Sequence, residues 1–196
     1  MLPTSLSLLD RLRETPTAED WQRLDKVYRP MIETWLRRVP GLHNESDDLV
    51  QDVLFIVFRE IAAFEWQREG SFRAWLRKIA VNCIRTFWRA KRRRPQVGLK
   101  SNDDETESFL TRLEDPSSDL SRQWDADHDK FVTDRLLEIV RVDFDETTWE
   151  AFLRFGLQGV PAAQVAKDLG ISVNTVFLAK SRILSRLRKE AAGLLD

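Results

Sequence analysis

The sequence predicts an all-α protein, two small helical domains joined by a flexible acidic linker. Three observations carry this. Apolar residues recur at three- and four-residue steps through most of the 196 residues, the mark of amphipathic helices. No stretch of useful length alternates apolar and polar residues as a half-buried strand would. Between residues 96 and 130 the helical period is lost, and Ser, Asp, Glu and Thr dominate around Pro116-Ser117-Ser118-Asp119. The predicted division is therefore residues 1–95, a linker over 96–130, and residues 131–196.

The elements follow in order. Thr17-Ala18-Glu19-Asp20 is a helix start with acids in its first turn. Trp21, Leu24, Val27, Tyr28, Ile32, Trp35 and Leu36 continue it until Pro40-Gly41. Ser46 is placed to cap a second helix, with Asp47 and Asp48 at its positive end. Leu49, Val50, Val53, Leu54, Val57, Phe58 and Ile61 give that helix a wide apolar stripe. A loop over Phe64–Ser71 leads to a third helix from about Phe72 to Arg93, stopped by Pro95. Helical pattern resumes near Asp127 with Phe131, Leu136, Leu137, Ile139 and Val140, and again over Thr147–Leu157.

The stretch from Pro161 to Lys189 reads as a helix-turn-helix. Pro161 suits a first helical turn, Gly170 a left-handed cap, and Ser172 the cap of the next helix. Ala166 is small enough for a tight helix crossing, and Val165, Leu169, Ile171, Val176, Ile183 and Leu187 supply an apolar face. From Val173 to Lys189 five residues are basic and none acidic. A helix of this kind can enter a DNA major groove. The alternative is an ordinary helical hairpin with a solvated basic face.

Charge is unevenly placed. Residues 1–95 hold 18 basic and 13 acidic side chains, residues 96–130 hold 4 and 10, and residues 131–196 hold 9 of each. The near-neutral total hides a basic block, which points to nucleic acid. Its centre is the third helix: no acid occurs between Glu69 and Asp103, where ten basic residues do. Phe72, Trp75, Phe87 and Trp88 are interleaved with them; aromatics can stack on unpaired bases, although the spacing of Phe72, Trp75 and Ile79 favours core. The run Lys91–Arg94 favours an anionic partner over a merely solvated helix end.

Catalytic chemistry finds no support. His43 and His128 are read as solvated residues, Cys83 as core, and Asp47, Asp48 and Asp52 as helix-start acids rather than metal ligands. No Cys/His metal spacing or glycine-rich phosphate loop occurs. The expectation is a non-enzyme without cofactor or metal. One cysteine, no signal-peptide pattern and no long apolar run lead to the expectation of a cytosolic protein with no membrane insertion.

Asp48-Leu49-Val50-Gln51-Asp52-Val53, followed by Gly70-Ser71-Phe72-Arg73-Ala74-Trp75-Leu76-Arg77-Lys78-Ile79-Ala80-Val81-Asn82, resembles region 2 of an extracytoplasmic-function sigma factor of the sigma-70 family. Residues 147–190 resemble region 4 of the same family. The resemblance implies a subunit that directs bacterial RNA polymerase to promoters. Asp48, Gln51 and Asp52 would dock on the clamp helices of the polymerase β′ subunit. Phe64, Trp66, Arg77, Lys78, Asn82, Arg85, Arg89 and Arg92 would open, read and hold the −10 element as single-stranded DNA. Ser172, Asn174, Thr175, Phe177, Lys180, Ser181, Arg182 and Arg186 would form the −35 interface, while region 4 also touches the β flap. The acidic linker would thread the channel that later carries RNA, and an anti-sigma factor is a further implied partner. Many members carry a basic residue where Phe177 and Ala179 stand.

The alternative is a self-sufficient helix-turn-helix regulator whose N-terminal helices sense or dimerise. A sigma factor binds promoters well only when held by core polymerase; a regulator footprints its site alone.

Overall fold

Most of the helices begin where the sequence offers a side-chain oxygen to the open N–H groups of a first turn. The computed structural model describes residues 7–42, 46–65, 71–92, 103–192 and 194–195. Helix α1 (Leu8–Glu14) and helix α2 (Ala18–Leu36) both open with a capping box, Ser7 with Asp10 and Thr17 with Asp20. Helix α3 (Ser46–Glu60) places Ser46 inside its first turn rather than ahead of it. His43 lies outside the described residues. A short 3₁₀ turn (Ile61–Ala63) follows, then helix α4 (Ser71–Arg92).

These four helices close one apolar core. Leu24, Val27, Met31 and Ile32 of α2 meet Val50, Val53 and Val57 of α3 and Leu76, Ala80 and Ile84 of α4. Gly41 has a left-handed φ of 79°, and a Cβ there would stand 3.2 Å from the Trp88 ring. Glycine is thus favoured at the turn after α2 by backbone sign, and the Trp88 ring would have to give way slightly to any Cβ there.

The linker expectation is overturned for much of its length. Helix α5 (Asp103–Glu114) and helix α6 (Asp119–Arg141) occupy residues 103–130 apart from a four-residue turn. Leu110, Leu113 and Trp124 are buried in the same core as α2 and α4. Trp124 lies 5.0 Å from Trp35, ring to ring. Five of the acids that suggested a solvated tether have cationic partners in the N-terminal bundle instead. Arg85 bonds Glu107 and Glu114, Arg77 bonds Asp125 and the Ser121 hydroxyl, Arg73 bonds Asp129, and Arg38 bonds Asp127. The acidic excess of this segment thus answers part of the basic excess of residues 1–95.

The C-terminal part is built from helix α7 (Glu146–Phe152), a wider π-type turn (Leu153–Leu157), helix α8 (Ala162–Leu169) and helix α9 (Val173–Ala191). Pro161 stands just before α8 rather than in its first turn. Gly170 takes a left-handed cap at φ 66°, and Ser172 accepts the Thr175 N–H. Ala151, Val165, Ala166, Val176 and Ala179 form a small core that fixes the angle between α8 and α9. Helix α6 packs on α2 and also on α9, so it joins the two parts. No strand occurs among the described residues.

Candidate partner and nucleic-acid interfaces

On α3 the helical period separates a buried face from an open one. Val50 and Val53 turn inward, while Asp48, Gln51 and Asp52 are exposed on the opposite side. Asp47 and Asp48 sit in the first turn, where carboxylates complement the helix dipole. Phe55 continues the Asp48–Gln51–Asp52 face and is 62% exposed. Sequence reasoning missed it, although its place off the apolar stripe was a usable signal. Phe58, expected in that stripe, is half exposed and tilts against Trp21 at 4.3 Å.

Helix α4 divides the expected −10 residues into distinct groups. Lys78, Asn82 and Arg89 are exposed and follow one another at four and seven residues, so they make one open stripe. Arg85 flanks it, half-buried between Glu107 and Glu114. Arg77 is 7% exposed and held under α6. Burial draws its pKa below the ordinary guanidinium value, as does Arg73, against the pull of Asp125. Phe64 is buried, edge-on to Phe72 at 5.5 Å and 4.9 Å from Trp75, so its ring is structural in this state. Trp66, Arg93 and Arg94 lie outside the described residues, as does the Arg92 side chain. Phe87 and Trp88 pack on the core with the Lys91 ammonium 5.5 Å and 5.0 Å from their rings. The aromatics of α4 therefore build the helix into the bundle rather than offering free stacking faces.

On α9 the inward residues are Val176, Ala179 and Ile183. Asn174, Phe177, Leu178 and Ser181 consequently face outward, and all four are exposed. Ser172 and Thr175 share a 2.8 Å hydrogen bond between hydroxyls at the helix start. Lys180 leans over the Phe155 ring at 4.9 Å, and Arg182 is exposed. Arg186 differs from expectation. Its guanidinium is committed to Asp143 at 2.8 Å and Glu190 at 2.6 Å. Glu190 is buried and also receives Arg11 at 3.1 Å and lies 3.6 Å from Arg23, which ties the end of α9 to α1 and α2. A single basic residue read as solvent-facing is here part of an internal ionic cluster.

His128 is corrected as well. It is fully buried, with Nε2 3.2 Å from the Tyr28 hydroxyl and Nδ1 3.0 Å from the Asp129 carboxylate. The bond from His128 holds Asp129 below the usual carboxylate range, with Arg73 adding to it against the cost of burial. Cys83 is core, and burial pushes its thiol up to about 11, far from a thiolate nucleophile at neutral pH. No cluster of three or more His, Cys, Asp or Glu suited to a metal occurs among the described residues. Among them, no helix is long and apolar enough to cross a membrane.

Comparison with known proteins agrees with this geometry. Residues 24–94 match the family model for sigma-70 region 2, a span from α2 to just beyond α4. Over 184 residues the chain is 24% identical to the ECF RNA polymerase sigma-E factor of Haemophilus influenzae (strain ATCC 51907 / DSM 11121 / KW20 / Rd). That likeness covers 90% of this chain and 92% of the relative, so it reaches well beyond the region 2 match. The chain is thus similar to sigma-70 region 2 over residues 24–94 and, along most of its length, to an extracytoplasmic-function sigma factor.

Proposed function

We propose that this protein is a dissociable sigma subunit whose parts divide the work of promoter recognition between residues 1–95 and 131–196. It directs RNA polymerase to promoters for transcription initiation. The α3 face of Asp48, Gln51, Asp52 and Phe55 docks on the β′ clamp helices. Carboxylates with an exposed ring beside them suit a mixed polar and apolar protein contact. The Lys78–Asn82–Arg89 stripe meets the −10 element: the cations take phosphates, and the Asn82 amide hydrogen-bonds an unpaired base. The face of α9 enters the major groove at the −35 element, and this region also meets the β flap. The protein works in the cytoplasm, beside the polymerase, and is not an enzyme in its own right. An anti-sigma factor that covers the α3 face would hold it inactive.

The observation that carries this reading is the presence of two surfaces of different chemistry on one chain. One is a cationic stripe carrying an amide, and the other is a helix-turn-helix suited to duplex DNA. Reconstitution with core RNA polymerase tests it. The expected result is copurification with core and promoter-dependent run-off transcripts, with little protection of the promoter by the chain alone. Footprinting by the chain alone, with no effect of core, would instead make it a self-sufficient regulator.

A further inference from the structure

The outward face of α9 is uncharged where a groove-reading helix is usually richest in contacts. Asn174, Phe177, Leu178 and Ser181 form it, opposite the buried Val176, Ala179 and Ile183. Phe177 is 50% exposed and Leu178 44%. Phe177 meets the Phe155 ring edge-on at 5.2 Å between centroids. The fold therefore leaves two large apolar side chains in water side by side. Along α9 the exposed charge has one sign: Arg182 and Arg188 are exposed, and no acid occurs between Val173 and Lys189; Lys167 is exposed on α8. Asp168, on α8, is occupied by Arg154 and Gln164. An apolar centre with a cationic rim complements a groove walled by phosphates and floored by base edges.

Among the groups that bases present in the major groove, the only apolar one is the C5 methyl of thymine. We infer that Phe177 and Leu178 read thymine methyl groups in the −35 element, beside the amide of Asn174. Sequence preference at those positions then comes from burying a methyl against a ring, not from a guanidinium on guanine. The inference rests on the assignment of α9 to the −35 element made above.

Deoxyuridine is the probe, because it pairs as thymine does and lacks only the methyl. Holoenzyme reconstituted from this chain and core RNA polymerase selects its promoters from a randomised duplex pool. The selected −35 element is then resynthesised with deoxyuridine at single thymines. Loss of one buried methyl should weaken wild-type binding about fourfold at one or two positions. Phe177→Ala should bind thymine and deoxyuridine duplexes alike at those positions, and Phe177→Leu should keep part of the discrimination. Both variants should retain wild-type helix content by circular dichroism, since the ring is half in water. Two results overturn the inference while leaving the −35 assignment standing. One is a −35-dependent holoenzyme indifferent to every deoxyuridine; the other is full discrimination retained by Phe177→Ala. A Phe177→Ala variant that loses affinity for core, with thymine discrimination unchanged, would make this face a protein contact and also overturn it. A holoenzyme that selects no upstream element at all removes the assignment, and the inference with it.

Discussion

Trp124→Ala should destabilise the protein by about 2–4 kcal/mol, because the structure places this residue in the core and not on a tether. An aromatic side chain buries roughly 150–250 Å², which at ~25 cal/mol per Å² gives about 4–6 kcal/mol. That is an upper figure, since a denatured chain already hides part of the area. The indole N–H of Trp124 finds no acceptor among the described residues. A stranded donor costs about 1–3 kcal/mol, which the substitution relieves. What remains is the loss of packing against Trp35, Leu113 and the core around them. Urea unfolding of the full chain, followed by far-ultraviolet circular dichroism, measures it as a fall in midpoint at constant slope. Trp124→Phe keeps a ring and removes the stranded N–H, so it should lose less than half as much. A loss for Trp124→Ala within ~0.5 kcal/mol, the range of an exposed substitution, would refute the placement of α6 in the core.

Three further outcomes are expected. Asp52→Arg should abolish binding to core polymerase in a pull-down while the circular dichroism spectrum stays that of the wild type, because Asp52 is exposed and the substitution cancels the negative charge of the Asp48–Gln51–Asp52 face. Asn82→Ala should leave core binding intact and lower permanganate reactivity of promoter thymines; a persistent binding defect on a pre-melted −10 bubble identifies base reading rather than strand separation as the lost step. Arg186→Ala should lower thermal stability by about 1–3 kcal/mol, less than the ~3–5 that stripping a buried pair costs, since Glu190 keeps Arg11 close. The salt dependence of −35 duplex binding should not change in that variant, because its guanidinium is already occupied.

Local chemistry was legible wherever one residue decides the backbone. Thr17 with Asp20, Gly170 and Ser172 each act through the nearest turn of chain, so their roles needed no knowledge of the fold. The exposure of Asp48, Gln51 and Asp52 followed equally from the helical period. Long-range partnership was not legible. The apolar residues of α5 and α6 are few, with Leu110 and Leu113 on one helix and Trp124 on the next, and the density of acids around them resembled that of a solvated segment. Only the three-dimensional meeting with Arg73, Arg77 and Arg85 removes the cost of that charge density. His128 and Arg186 failed for the same reason. Each looks solvated in sequence, yet His128 is held by Tyr28, 100 positions away, and Arg186 by Asp143, 43 positions away, and by the Glu190 that also receives Arg11. Phe64 was assigned by its place in a loop, whereas the neighbouring rings of Phe72 and Trp75 draw it inward.

The carboxylates resting on α4 alter what DNA displaces when it arrives. A phosphate that meets Lys78 or Arg89 releases condensed ions into the bulk, and the gain depends on how dilute the salt is. A phosphate that meets Arg73 or Arg85 would evict Asp129, Glu107 or Glu114, which stay tethered to the same chain. That exchange is intramolecular on the protein side, so it changes the affinity while leaving the bulk ion count nearly untouched. For single-stranded DNA these four cations acting independently would give a log–log salt slope of about −2.8, against about −1.4 from Lys78 and Arg89 alone. The chain thus carries, in α5 and α6, its own fixed-concentration counterion for the helix proposed to meet melted DNA, and its grip there should weaken less with rising ionic strength than its arginine content implies.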